Sequence, residues 1–270
     1  MTGTRYIDYH GGKLWYTEEG SGEAVVFLHG FLESKEIWGD FTRSLIPAYH
    51  VIAIDLPGHG LSSVFSDTHT MAFMAECVKE VIHSLGLGKV VVVGHSMGGY
   101  VSLAFAEKHP ENLAGLCLFH SSPYPDNEEK KKNRDRTIDV VKQGKKNQLV
   151  AMHIPMTFAP ANRPLFGKII ERLKETAMHT PDNGIIAAVA GMRDRPDRSE
   201  ILQLLNIPVL IIAGANDSFI STDVSENIFR LPGNPLPLML EMSGHMGFIE
   251  EKEKALEGLK DYLNIIYPAE

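Results

Sequence analysis

Cysteine is almost missing from these 270 residues: only Cys77 and Cys117 occur, each inside an apolar stretch, where a free thiol behaves as a small buried hydrophobe. A disulfide framework and a cysteine-rich metal site are both excluded. Positive charge is not in excess either. Lys plus Arg number 26 against 34 Asp plus Glu, a formal net charge of −8, and such a balance repels phosphate backbones. Nucleic acid is therefore not an expected partner. The N-terminus carries no apolar run of signal-peptide length, and no stretch reaches the ~18 apolar residues of a membrane span. A cytoplasmic protein without membrane contact is the expectation. No repeat of fixed period occurs, which sets aside solenoids and propellers. The nucleotide-binding fingerprint is lacking too, because Gly94 to Gly99 reads G-x-x-x-G-G rather than the G-x-G-x-x-G that brings backbone against a pyrophosphate. His59, His69 and His83 have neither the spacing nor the carboxylate company of a metal site.

What remains is ordinary globular composition, 44% hydrophobic and 22% charged, with length for one large domain or two small ones. Short continuous apolar runs at 24–28, 50–54, 90–93, 116–119 and 208–213 predict strands buried on both faces of a parallel sheet. Between them, Met71, Met74, Val78, Val81, Ile82 and Leu85 recur at helical spacing behind a candidate N-cap, Thr70. A second helix over 100–109 stops at Pro110. After Phe119 no buried-strand run appears until Ile207, which predicts a helical insertion from about Ser122 to Arg198.

The strongest chemical signal is Gly94-His95-Ser96-Met97-Gly98, a G-x-S-x-G directly after a buried strand and before a helix, the setting of a nucleophile elbow. The turn aims the Ser96 hydroxyl into a cleft, and the glycines remove Cβ atoms where strand and helix approach. A serine hydroxyl needs a base. Of twelve histidines, His245 is the candidate, on a glycine-flanked loop after the short strand Leu238-Met239-Leu240. An acceptor for the imidazole is expected at Asp217, just past the 208–213 strand, ahead of Asp223, Asp194 and Asp197. Oxyanion donors are expected from the backbone N–H groups of Met97 and Phe31, whose side chains are also candidates to shape the acyl pocket. Further candidates for substrate contact are Trp38, Met152 and Met156, each with a packing alternative, and His120, whose alternative is a hydrogen-bonded loop. Tyr100 and the run Glu128 to Lys132 are read as helix packing and a solvated face.

With those residues assembled, the chain resembles the α/β-hydrolase superfamily. The resemblance rests on His29-Gly30-Phe31, Asp55-Leu56-Pro57-Gly58-His59-Gly60-Leu61-Ser62, the elbow, Asp217 and Gly244-His245. It implies an α/β fold with a mostly parallel central sheet of about eight strands flanked by helices, and a helical cap inserted after strand six. The expected division is a hydrolase core over 1–121 and 199–270 and a cap over 122–198. It also implies a cofactor-independent, metal-free serine hydrolase with a Ser96, Asp217, His245 triad, cleaving a small-molecule ester, thioester or lactone through an acyl-serine. Haloalkane dehalogenases and epoxide hydrolases of this fold carry Asp at the elbow, so Ser96 argues against both. C–C bond hydrolases, peracid-forming enzymes and a menaquinone-pathway elimination enzyme remain alternatives within the fold. A non-catalytic small-molecule-binding protein is the alternative outside enzymology. A monomer or homodimer is expected.

Overall fold

The computed structural model describes residues 3–268. Eight strands build one sheet: β1 (Gly3–Tyr9), β2 (Gly12–Glu19), β3 (Ala24–Leu28), β4 (His50–Ile54), β5 (Val90–His95), β6 (Leu113–Phe119), β7 (Val209–Gly214) and β8 (Pro235–Leu240). Their order is β1-β2-β4-β3-β5-β6-β7-β8. β1 and β2 are antiparallel to their neighbours, and every pair from β4 to β8 is parallel. The five apolar runs are β3 to β7, and all but β4 and β6 are buried at every residue, as expected of strands covered on both faces.

Helices connect the strands: α1 (Gly39–Thr42), α2 (Met71–Ser84), α3 (Met97–Lys108), α4 (Glu128–Lys142), α5 (Lys146–Met156), α6 (Gly167–His179), α7 (Asp182–Arg193), α8 (Ser199–Leu204), α9 (Thr222–Phe229), α10 (Gly247–Glu250) and α11 (Lys252–Ile266). The apolar stripe of α2 is buried, and Thr70 caps it by accepting from the Phe73 N–H at 3.1 Å. Four helices, α4 to α7, lie between β6 and β7 with no strand among them. They contact the body at several points: the Thr157 carbonyl, just past α5, accepts from the His245 N–H at 2.7 Å, and the Ala187 carbonyl of α7 accepts from the His69 N–H at 2.9 Å.

The Asp55 to Ser62 segment is a tight turn held from within. Asp55 is fully buried and takes the Lys35 ammonium at 2.9 Å, the Lys35 N–H at 2.8 Å and the Leu61 N–H at 3.0 Å. The Ser62 hydroxyl donates back to the Asp55 carbonyl at 2.6 Å. The turn fixes the loop ends beside the site, as a structural element.

Candidate active site

Ser96 sits between the end of β5 and the first residue of α3 with φ 49° and ψ −111°. A non-glycine residue there stores strain of about 1–3 kcal/mol, and neighbouring glycines make the turn possible. A Cβ on Gly98 would strike the Leu28 and His29 carbonyls, and one on Gly94 would strike Gly98 and Ser102. Gly98 lets α3 approach the end of β3, and Gly94 lets β5 approach α3.

The Ser96 hydroxyl lies 2.9 Å from His245 Nε2, and His245 Nδ1 lies 2.6 Å from Asp217 Oδ2. With the Asp217 carboxylate fixing the proton on Nδ1, Nε2 is left to accept the serine proton. Asp217 Oδ1 is occupied by the N–H groups of Phe219 at 2.8 Å and Ile220 at 3.2 Å. The carboxylate thus closes its own loop and orients the imidazole at once. Burial opposes its charge, but the neighbouring His245 and His120 outweigh burial and hold it well below the usual carboxylate range.

His120 directly follows β6 with φ 47° and is fully enclosed. Its Nε2 accepts from the Gly247 N–H at 3.1 Å, which leaves the proton on Nδ1, 3.4 Å from Asp217 Oδ2. Burial lowers its pKa to about 4, so near neutral pH it is an uncharged brace behind Asp217. The ligand atoms of His120, Asp217 and His245 fall within 4.8 Å of one another, a spacing that could hold a metal ion. The Asp217–His245 hydrogen bond and the 3.4 Å approach of His120 Nδ1 to Asp217 Oδ2 account for that convergence.

A second pair lies behind the serine turn. Glu33, buried, accepts from the Gly30 N–H at 2.6 Å and from His95 Nδ1 at 3.0 Å, while His95 Nε2 reaches the His245 carbonyl at 2.9 Å. Both ring nitrogens of His95 face acceptors, so both carry protons. Burial works against that charge, and the Glu33 carboxylate overcomes it, raising the His95 pKa and lowering its own. Among the described residues, the Phe31 and Met97 N–H groups make no hydrogen bond within the protein.

Ser96 and His245 line a cavity of about 460 Å³, together with Phe31, His153, Phe219 and residues of α4. The sequence profile of the alpha/beta hydrolase fold matches residues 23–252. The chain belongs to the α/β-hydrolase fold family. This α/β hydrolase is 26% identical to a putative esterase/lipase of Haemophilus influenzae over 89% of the chain and 83% of that protein. It is 25% identical to the monoacylglycerol lipase abhd6-B of Xenopus laevis over 96% and 82%. A solved thermophilic esterase from Thermogutta terrifontis superposes with a TM-score of 0.92 at 29% identity, covering 98% of this chain and 99% of that one.

The four expected substrate contacts are not among the residues that line this cavity. Trp38 is fully buried, its ring 4.7 Å from Phe248 and 5.2 Å from Phe27, and belongs to the core. His120 stands behind Asp217 rather than on the cavity wall. Met152 and Met156 are 65% and 40% exposed, on the outer face of α5. One residue further along, His153 and Thr157 turn inward and line the cavity, because one residue rotates a helix by about 100°. The Met97 side chain is buried in the core rather than in the acyl pocket, whereas Phe31 does line the cavity. Tyr100 and Lys130, read as packing and solvated face, line it too.

Phe219, His153 and the Glu33–His95 pair were not anticipated. Phe219 lies two residues past Asp217, and its ring is 4.9 Å from His245. Its proximity to a candidate acid was the one signal in sequence.

Proposed function

We propose that the chain is a cofactor-independent serine hydrolase of small-molecule carboxylic esters, with residues 122–198 as a cap over a core made of 1–121 and 199–270. The observation that carries this reading is the unbroken line from Asp217 through His245 to the Ser96 hydroxyl, at 2.6 and 2.9 Å, opening into a cavity. The esterase and lipase names of the relatives point the same way.

In the proposed mechanism His245 Nε2 takes the proton of Ser96 as its oxygen adds to the ester carbonyl. The carbonyl oxygen becomes an oxyanion and rests on the Phe31 and Met97 N–H groups, which have no competing partner within the protein. His245 then gives the proton to the leaving alcohol, and an acyl-serine remains. Water, deprotonated by the same imidazole, adds to the acyl carbon, and the acid leaves as the proton returns to Ser96. Asp217 stabilises the imidazolium formed in each half. No helix among the described residues is long and apolar enough to cross a membrane.

A fluorophosphonate tests the nucleophile. The wild type should gain one phosphonyl group per chain by intact mass, and Ser96→Ala none, with hydrolysis of p-nitrophenyl acetate falling by about 10⁴-fold or more. Equal labelling of both proteins would reject Ser96 as the nucleophile.

A further inference from the structure

Away from the triad the cavity becomes cationic. Lys130 and Arg134 stand four residues apart on α4, on one helix face, and both line the cavity that holds Ser96. Arg195, almost fully buried, lines it as well, with its guanidinium carbon 4.0 Å above the ring of Tyr100. One local carboxylate answers these three cations. Asp126 accepts from Arg134 Nε at 2.9 Å and faces Arg195 Nη2 at 2.9 Å. The other acid on the wall, Glu33, is already committed to His95 and the Gly30 N–H.

Hydrogen-bonding capacity is left over. Among the described residues, Lys130 Nζ has no ion pair, the two terminal nitrogens of Arg134 make no hydrogen bond, and the buried Arg195 Nε has no partner. Three cations against one carboxylate leave a local excess of two positive charges, in a chain whose net charge is −8. A lone surface lysine would mean nothing, but two arginines partly or wholly withdrawn from water and sharing one acid are costly without a further anion. The path from the triad to this patch is set by rings: Phe219 lies 4.9 Å from His245 and 5.2 Å from His153, which in turn lies 5.6 Å from Phe31. His153 lines the same cavity as Ser96, Lys130 and Arg134.

We propose that Lys130 and Arg134, backed by Arg195, form an anion subsite, and that the preferred ester carries a free carboxylate or phosphate monoester remote from its scissile carbonyl. The proposal rests on the hydrolase reading above. A fixed anion would hold the neutral carbonyl over Ser96 by binding energy gained away from the reacting atoms. It would also keep uncharged esters of the same length as poorer substrates.

Two matched pairs test it at constant ionic strength: monoethyl adipate against diethyl adipate, and 4-acetoxybutyl phosphate against butyl acetate. The wild type should prefer the anionic member of at least one pair by about tenfold in kcat/KM, mainly through KM, as charge-assisted hydrogen bonds would give. The pair with the larger ratio identifies the anion. Lys130→Gln and Arg134→Gln should each lower that ratio several-fold, and Lys130→Glu should reverse it. Lys130 is exposed and unpaired, so its variants keep the test alive if Arg134→Gln folds poorly. As a second readout, adipate or butyl phosphate should slow fluorophosphonate labelling of Ser96 more than 1,6-hexanediol does, and less so in Lys130→Glu. Neutral esters preferred in both pairs, or ratios that ignore all three substitutions, would overturn the subsite while labelling still upheld the hydrolase. Loss of labelling in the wild type would instead remove the hydrolase reading and the subsite with it.

Discussion

At the scale of single residues, the distinctive feature is a charged pair built under the nucleophile turn. His95 is the variable residue of the G-x-S-x-G pattern, and it is doubly protonated because Glu33 and the His245 carbonyl sit on its two nitrogens. Replacing Glu33 by Gln keeps the shape and removes the charge. A buried pair broken on one side typically loses about 3–5 kcal/mol. Linkage fixes where that loss is seen. The depressed Glu33 pKa contributes stability that is present above the ordinary carboxylate value and lost as pH falls through the folded one. The raised His95 pKa contributes stability that is full below the ordinary histidine value and lost as pH rises through the folded one. The urea midpoint of wild type minus Glu33→Gln should therefore be greatest from about pH 4.5 to 6.5 and shrink on both sides. A difference independent of pH would mean the pair is uncharged.

At the scale of elements, the insertion and the histidine loop are held to one geometry. Thr157 accepts from the His245 N–H at 2.7 Å, and a Cβ on Gly244 would meet the Phe158 carbonyl carbon at 2.8 Å and the Thr157 oxygen at 3.0 Å. Gly244→Ala must push the loop from the insertion, and a displacement near 1 Å can cost about 10²-fold in rate. Fluorophosphonate labelling of Ser96 should slow by that order while the melting temperature moves little. Unchanged labelling would show that the loop moves without His245. The elements most legible in sequence were those with one pattern and one outcome. Runs buried on both faces became β3 to β7, and the stripe from Met71 became α2. The β1–β2 hairpin was not legible, because its outer strand is largely exposed and only Leu14 and Tyr16 of β2 are fully buried. Helix α5 exposes a deeper limit. Met152 and Met156 share a face by spacing, but spacing cannot say whether that face meets the cavity or solvent. Ser96, Asp217 and His245, which hydrogen bonds of 2.9 and 2.6 Å bring into one line, were each legible from a local motif, whereas the cationic wall combines residues of α4, α3 and the loop after α7 that only tertiary packing brings together.

At the scale of the whole molecule, histidine burial joins stability to the site. His59, His69, His120 and His153 are pressed by burial to pKa values of about 3, 4, 4 and 4. Three of them stand beside the site: His120 behind Asp217, His153 against Phe219, and His59 with its ring 5.3 Å from His29 on the loop after β3. Folding requires all four to stay neutral, while the unfolded chain protonates them near pH 6.5. Their folded values are lowered, so the stability they permit is complete above about pH 6.5 and is lost as pH falls toward 4. His95 does not offset this at pH 5, where it is protonated folded or unfolded. Near pH 5 unfolding should take up several protons, so stability should fall steeply as pH drops. Urea unfolding from pH 7 to pH 5 measures that slope directly, and proton uptake in matched buffers of different ionisation enthalpy checks it by calorimetry. A flat profile over that range would mean that these imidazoles are hydrated in the folded protein, and that the interior around Asp217 is wetter than its packing implies. The predicted slope, in contrast, would make loss of activity in mild acid a consequence of unfolding around the site, separable from titration of the triad because circular dichroism would fall with the rate.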